Sequence, residues 1–266
     1  MNTTNIENTP LLEEFGFCFD EGGTHLARTM MLEDLAEVFE TCTTTTNKQE
    51  VIRAVDDENC LGKPSGKARR LAARHLVKLY GFEDGELIYR ALAYLWSRDE
   101  QARPMLALLC AYARDAILRS SAEFIFALKD GEPYQRVNLE EFVDGLYPAR
   151  FSPAMLRSAA QNIAGTWTRS GHLLGRNKKT RQLITPTPGA VVMATLLSYV
   201  TGQRGQLTFE SEYVKLLDCS PTTAIELAKS AAQRGWMDIK HIGSVIEVAF
   251  PRILTNDEME KIRDQN

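Results

Sequence analysis

The sequence predicts a mainly α-helical protein: a helical bundle first, then helices that alternate with short hairpins. Two observations predict it. Through about the first 150 residues, apolar positions recur at helical spacing in segments rich in Ala and Leu and poor in β-branched residues. Beyond Pro148 two Ser-Pro helix starts, Ser152-Pro153 and Ser220-Pro221, each lead through a helix into a hairpin signal. With 266 residues, 44% of them hydrophobic, the chain has apolar material for one large core or two smaller ones. Its length favours two domains.

Within the bundle, residues 26–39 carry Leu26, Met30, Leu35 and Val38 with acids between them, which is a surface helix. Residues 41–47 are a polar Cys/Thr loop and 48–55 another helix. Gly62, Pro64 and Gly66 interrupt the pattern. Residues 67–80 form a clear amphipathic helix. On a helical wheel Lys67, Arg70, Arg74 and Lys78 fall within about 80° of one another. Ala68, Leu71, Ala72, Leu76 and Leu79 make the other face, and Gly81 ends the helix. Residues 87–96 and 105–118 are strongly apolar helices, the second led by Pro104, and 121–128 is a further helix. Asn138 followed by Glu141 is a capping-box signal for a helix over 138–146.

Beyond the bundle, Ser152 as N-cap and Pro153 at the first helical position start a helix over 152–170. Residues 172–184 place two short apolar edges around a polar, basic tip, which is a hairpin. Thr185-Pro-Thr-Pro188 is rigid and extended. Residues 189–200 fit either a helix or a buried strand. Residues 209–217 are a short helix, 218–220 a turn, and 221–234 a second helix ended by Gly235. Strands over 236–240 and 245–250 flank a tight turn at 241–244, and a polar tail follows from Met259. Short helix, turn, helix and two-stranded hairpin is the winged helix-turn-helix order. Residues 152–184 repeat it in cruder form. The expected division is a polar lead-in over 1–20, a helical bundle over 21–148, a winged-helix-like domain over 149–254 and a polar tail over 255–266.

The formal net charge of −4 argues against a broad polyanion-binding surface, but the charge is unevenly placed. Residues 1–60 hold thirteen acidic and three basic side chains. Residues 61–82 hold Lys63, Lys67, Arg69, Arg70, Arg74 and Lys78 and no acid. A second basic island holds Arg169, Arg176, Lys178, Lys179 and Arg181. Proteins that are acidic overall still bind DNA through one basic face, because the local field governs phosphate contact. The alternative is that these islands pair with the acidic N-terminal segment or are solvated surface. A basic hairpin tip suits a phosphate backbone or a minor groove. In the later helix Thr222 and Thr223 occupy the first turn, where a recognition helix meets base edges or phosphates, with Lys229 further along. Trp167, Trp236 and Tyr213 are read as packing groups.

Chemical motifs are sparse. Gly62-Lys-Pro-Ser-Gly66-Lys67 has three residues between its glycines where a phosphate loop has four, and Ala68 stands where Ser or Thr should. The four histidines are far apart, and none forms HExxH or a Cys/His pair at metal spacing. Asp56-Asp57-Glu58 reads as an acidic helix end. No GxSxG, kinase set or dinucleotide fingerprint is present. The five cysteines form no CxxC pair and are odd in number, which argues against a disulfide framework. No apolar run reaches the roughly 18 residues of a membrane span. The first ten residues lack the charge and apolar run of a secretion signal, so a cytoplasmic protein is expected.

Several stretches together carry a resemblance. Phe15–Phe19 is followed by Gly22-Gly23 and a helix. Glu58-Asn-Cys-Leu61 and the Ser-x-x-x-Arg-Arg-x-x-Ala-Arg stretch from Ser65 to Arg74 come next. Ala232-x-Arg-Gly-Trp-Met-Asp-Ile239 and Gly243-Ser-Val-Ile-Glu247 close the series. In these residues, at both ends of the chain and in family order, the sequence resembles the BrxA-type proteins of BREX bacteriophage-exclusion systems. The resemblance implies a helical N-terminal domain similar in fold to the antitermination factor NusB, joined to winged-helix elements. It further implies DNA contact through Arg69, Arg70 and Arg74, assembly with other proteins of the defence system, and no active site. The net acidity and the polar loop at 43–47 depart from that pattern and leave room for protein recruitment.

The expected function is therefore non-enzymatic binding of double-stranded DNA within an antiphage defence system, mainly through phosphates. No catalytic residue, metal, cofactor, membrane contact or small-molecule substrate is expected. The candidate DNA-binding residues are Lys67, Arg69, Arg70, Arg74, Lys78, Arg169, Arg176, Lys178, Lys179, Arg181, Thr222, Thr223 and Lys229. The alternatives are a winged-helix transcriptional regulator, or a structural adaptor that holds an acidic protein without DNA.

Overall fold

The computed structural model describes residues 9–20, 22–42, 47–243 and 245–264. The fold is mainly α-helical with two small antiparallel β elements. In chain order the helices are α1 (Thr9–Glu14), α2 (Leu32–Thr41), α3 (Lys48–Ile52), α4 (Gly66–Tyr80), α5 (Leu87–Trp96), α6 (Arg103–Arg114) and α7 (Ala116–Ala127). They continue as α8 (Arg136–Leu146), α9 (Pro153–Arg169), α10 (Pro188–Val200), α11 (Glu212–Lys215), α12 (Pro221–Gln233) and α13 (Asn256–Asp264). The strands are β1 (Pro133–Tyr134), β2 (Leu173–Leu174), β3 (Lys179–Arg181), β4 (Asp238–Ile242) and β5 (Val245–Ala249).

The chain folds into two compact units that interleave along the sequence. One comprises Met1–Phe17, Glu83–Leu109 and Thr185–Asn266; the other comprises Cys18–Phe82 and Cys110–Ile184. The boundary expected at residue 148 falls inside the second of these units. Periodicity shows which face of a helix is buried, but not which distant segment covers it.

In the first unit α10 is buried nearly all round, and α5, α11 and α12 pack on it. This resolves the helix-or-strand ambiguity. Thr187 accepts the Ala190 N–H at 3.3 Å, Pro188 opens the first turn, and Asp99 accepts the Gly189 N–H at 2.8 Å. Helix α12 buries only Ala224, Ala228 and Ala231 as its apolar stripe, small side chains that permit close approach. Strands β4 and β5 pair from Asp238↔Ala249 to Ile242↔Val245, with Ile246 and Val248 on the buried face. Ser244, in the tight turn expected at 241–244, lies outside the described residues.

The ends of the chain differ from expectation. Leu11, Leu12, Phe15 and Phe17 are core residues within the supposed polar lead-in. The supposed polar tail forms helix α13. Thr255 and Glu258 make reciprocal cap bonds of 2.8 and 3.3 Å there, and Arg90 donates to Glu258 at 2.5 Å. Ile262 is its buried anchor. A single isoleucine in a charged segment is too weak a period to read, but Thr255-x-x-Glu258 is a capping box.

In the second unit α9 packs on α8 and on a 3-10 turn at Thr24–Leu26, while α4 packs on α3 and a π-helical turn at Arg53–Asp57. The helix expected over 26–39 starts only at Leu32, because Met31 takes a left-handed conformation with φ of 53°. The Tyr80 hydroxyl donates to the Met30 carbonyl and ties that bend to the end of α4. The helix expected over 105–118 is interrupted at Asp115, whose carboxylate caps α7 by accepting the Leu118 N–H at 3.0 Å. Helix α8 begins at Arg136, ahead of the Asn138 signal, because the extended N-cap backbone falls at Gln135. Residues 43–46 of the polar loop lie outside the described residues. Strands β2 and β3 form the expected basic hairpin, and β1 adds a third strand in the order β1-β3-β2.

Among the described residues no helix is long and apolar enough to cross a membrane.

Candidate nucleic-acid interface

Helix α4 is set by its ends. The Ser65 hydroxyl accepts the Ala68 N–H at 3.2 Å, and Gly81 leaves the helix with φ of 77°. Ala72, Leu76 and Leu79 are buried as the wheel requires, and Ala68 and Leu71 are half-buried. On the opposite face Lys67, Arg70, Arg74 and Lys78 are all exposed. None of these four forms an ion pair among the described residues.

The acidic N-terminal segment pairs elsewhere. Asp34 meets Lys63 at 2.7 Å, Asp56 faces Arg69 at 3.9 Å, and Glu33 meets Arg169 at 2.8 Å. Arg69 is half-buried beside its partner. Sequence reasoning allowed two fates for the basic islands, and the structure divides them: flanking cations pair, while the α4 stripe stays open among the described residues. His75 sits half-buried at the edge of that stripe. Burial first, then the charges of Arg28, Arg74 and Lys78, hold its imidazole below the ordinary histidine range.

The first hairpin divides in the same way. Arg176 and Lys178 are exposed at its tip. Lys179 is half-buried, and its Nζ donates to Thr168 Oγ1 at 2.8 Å and to the Gly175 carbonyl at 2.9 Å. Burial, and then the nearby charge of Arg169, lower its pKa from the ordinary lysine value. Arg181 is corrected outright. It is 3% exposed, its guanidinium carbon lies 4.9 Å from the Phe126 ring centroid, and it donates to the carbonyls of Gln182 and His172. Strand alternation turns it into the core, so it is a packing cation and no phosphate contact.

In the other unit Thr222 and Thr223 are exposed on the first turn of α12. Ser220 Oγ accepts the Thr223 N–H at 3.1 Å. Lys229 pairs with Glu226 at 2.7 Å. The β4–β5 hairpin carries a Lys240–Glu247 pair at 3.8 Å, and its tip exposes Ile242 (78%) and Val245 (67%). Trp167, Trp236 and Tyr213 are buried packing groups.

Sequence reasoning missed one polar cluster altogether. His25 Nδ1 lies 2.8 Å from Asp115 Oδ2, and Nε2 lies 2.8 Å from Thr166 Oγ1. Thr166 Oγ1 also accepts the Met30 N–H at 2.8 Å. All three side chains are buried. An acid, an imidazole and a hydroxyl in series have the parts of a proton relay, but here they are enclosed in the core and saturated by backbone groups. Their arrangement fastens three segments together. No local pattern points to it, because Asp115 and Thr166 lie 90 and 141 residues from His25.

Comparison with models of known protein families and with curated proteins returns no match.

Proposed function

We propose that the protein is a non-enzymatic, double-stranded DNA-binding component of a bacterial antiphage defence system of the BREX type. It contacts the phosphate backbone and recruits other proteins of that system. The observation that carries DNA contact is the α4 stripe: four exposed cations on one face, with no ion pair among the described residues. From Lys67 to Lys78 the stripe runs about 16 Å at the helical rise. Its four cations can neutralise at most four phosphates of a duplex. The exposed Arg176 and Lys178 are a second phosphate-facing element. The order α11, turn, α12, β4, β5 supports a winged-helix element. The NusB-like character of the helical part and the placement in a defence system rest on the family resemblance.

Binding of the full chain to random-sequence duplex, titrated from about 50 to about 300 mM salt, tests the reading. Tight binding at low salt with a steep loss is expected. A R70E/R74E variant should weaken binding equally for all sequences and reduce the salt slope by about one for each phosphate that goes unneutralised. Absence of binding at low salt overturns the proposal and favours the adaptor reading. Strong preference for one palindromic site favours a regulator that reads DNA through Thr222 and Thr223.

A further inference from the structure

We propose that Arg69 and Arg70 close on Gly66 to bind the dianion of a phosphate monoester. The inference stands apart from the DNA-binding reading above, although Arg70 serves both.

The site is built around a missing side chain. A Cβ placed on Gly66 would lie 3.3 Å from Arg70 Nη1 and 3.6 Å from Arg69 Nη2. Two guanidinium groups thus converge on one point beside α4, and the glycine leaves that point open. Nη2 of Arg69 shares an edge of its guanidinium with Nε, an edge that can grip two oxygens of one anion. Arg69 Nε is buried and has no hydrogen-bond partner. The Asp56 carboxylate stands 3.9 Å from it, within ion-pair range but beyond hydrogen-bond reach. A buried donor without an acceptor is costly, and an oxygen ligand at this edge removes that cost. Arg70 is exposed and forms no ion pair among the described residues.

Electrostatics favour an anion at the same place. Helix α4 opens with Lys67, Arg69 and Arg70 and has no acid in its first turn. That is the reverse of the order the helix dipole favours. The neighbouring acids are engaged: Asp34 meets Lys63 at 2.7 Å and Glu58 meets Arg53 at 3.1 Å. Among the described residues Asp56 is the one carboxylate paired with either guanidinium.

A phosphate monoester carries close to two charges near neutral pH and has three acceptor oxygens. Two of them suit the Nε–Nη2 edge of Arg69, and the third suits Arg70 Nη1. A phosphodiester has one charge and one such oxygen fewer, and it fills this arrangement less well. The ligand is therefore a phosphate end group. It belongs either to a small phosphorylated molecule or to the 5′ end of a DNA strand.

The experiment is a phosphorus NMR titration of inorganic phosphate with the full chain at low salt. A saturable shift with a dissociation constant of about 1 mM or below is expected. R69Q should weaken it at least about tenfold. Gly66 is not among the glycines at positive φ, so G66A fits the backbone and should leave the melting temperature unchanged or raised. Its Cβ occupies the binding point, so phosphate affinity should fall about fivefold all the same. A glycine kept only for the fold would not give these opposite signs. K240Q, on the second hairpin, should bind phosphate as the wild type does. Two duplexes identical except for a 5′-phosphate or a 5′-hydroxyl then identify the source. A preference of at least about threefold for the phosphorylated end, lost in G66A, assigns the strand end. Equal binding of both duplexes assigns the small molecule. No saturable shift up to about 20 mM phosphate, or affinity unchanged in both R69Q and G66A, overturns this inference and leaves the DNA reading standing. Phosphate binding without duplex binding at low salt overturns the DNA reading alone.

Discussion

Two helix–hairpin segments of this molecule share their punctuation and differ in almost everything else. Helix α9 leads to β2 and β3, and helix α12 leads to β4 and β5. Both helices start on a serine whose hydroxyl accepts an N–H three residues on, at 3.3 Å for Ser152 and 3.1 Å for Ser220. Both place proline first, and both are followed by a glycine at positive φ, 92° for Gly171 and 71° for Gly235. Yet α9 is fastened by Thr166 to a buried polar cluster and by Trp167 to Ser121 at 2.9 Å. Helix α12 lies on a stripe of three alanines. The first hairpin ends in exposed cations and the second in Ile242 and Val245. Start and stop signals therefore specify the element, while anchoring and surface chemistry are set separately. A shared order of elements does not imply a shared task.

The largest difference to test is the anchoring. Asp115 accepts the His25 N–H at 3.0 Å and the Leu118 N–H at 3.0 Å, and pairs with the His25 ring. Asp115→Ala leaves these groups buried without their partner and should cost about 3–5 kcal/mol in urea unfolding. Acid should reproduce part of the loss. Burial pushes the Asp115 carboxyl up, but the His25 charge and the hydrogen bonds from His25 and Leu118 outweigh it and hold the group below the ordinary aspartate value. A depressed folded-state pKa gives stability that is present above the unfolded carboxylate value, about 3.9, and that fades as pH falls through the folded value. D115N should flatten that acid limb. An unaltered limb would mean that the cluster contributes little to holding α9.

The hairpin turns separate next. Gly175 has φ of 114°, and a Cβ there would sit 2.1 Å from the Lys178 carbonyl oxygen. Gly243 has φ of 61° and open space around its Cβ position. Gly175→Ala should cost roughly 2–3 kcal/mol and Gly243→Ala about 1 kcal/mol, because only the first adds a backbone clash to left-handed strain. Thermal unfolding of the two single variants checks this, and equal shifts would remove the distinction between the turns.

These particulars show which information is local. The caps at Ser152 and Ser220 are legible because donor and acceptor lie three residues apart. The α4 stripe is legible because its period is that of one helix. Asp115 is not, since a single carboxylate in an apolar run looks like a boundary residue until its N–H partners are seen. Strand β1 is two residues long, and Pro133 pairs with the distant Thr180, so no pattern of its own announces it. Arg181 reads as exposed because it is charged, whereas strand register decides its direction. Interleaving of the two units is invisible for the same reason: α5 and α10 are adjacent in space but far apart in sequence. For the candidate site, sequence alone marks the cations and the structure sorts them.

The smallest expected effect concerns the hairpin tips, and it distinguishes their tasks. Lys179 is held by Thr168 and the Gly175 carbonyl, so the free charges of the first tip are Arg176 and Lys178 among the described residues. R176E/K178E should lower duplex affinity about tenfold, near 1.4 kcal/mol, and reduce the salt slope, with stability unchanged. On the second hairpin Lys240 already faces Glu247, so K240E reverses a neutralised charge and should change affinity less than twofold at about 100 mM salt. Titration of wild type and both variants against one random-sequence duplex gives the contrast directly. Equal losses would make both hairpins phosphate-binding. A loss confined to K240E would move the DNA face to the unit that carries α12.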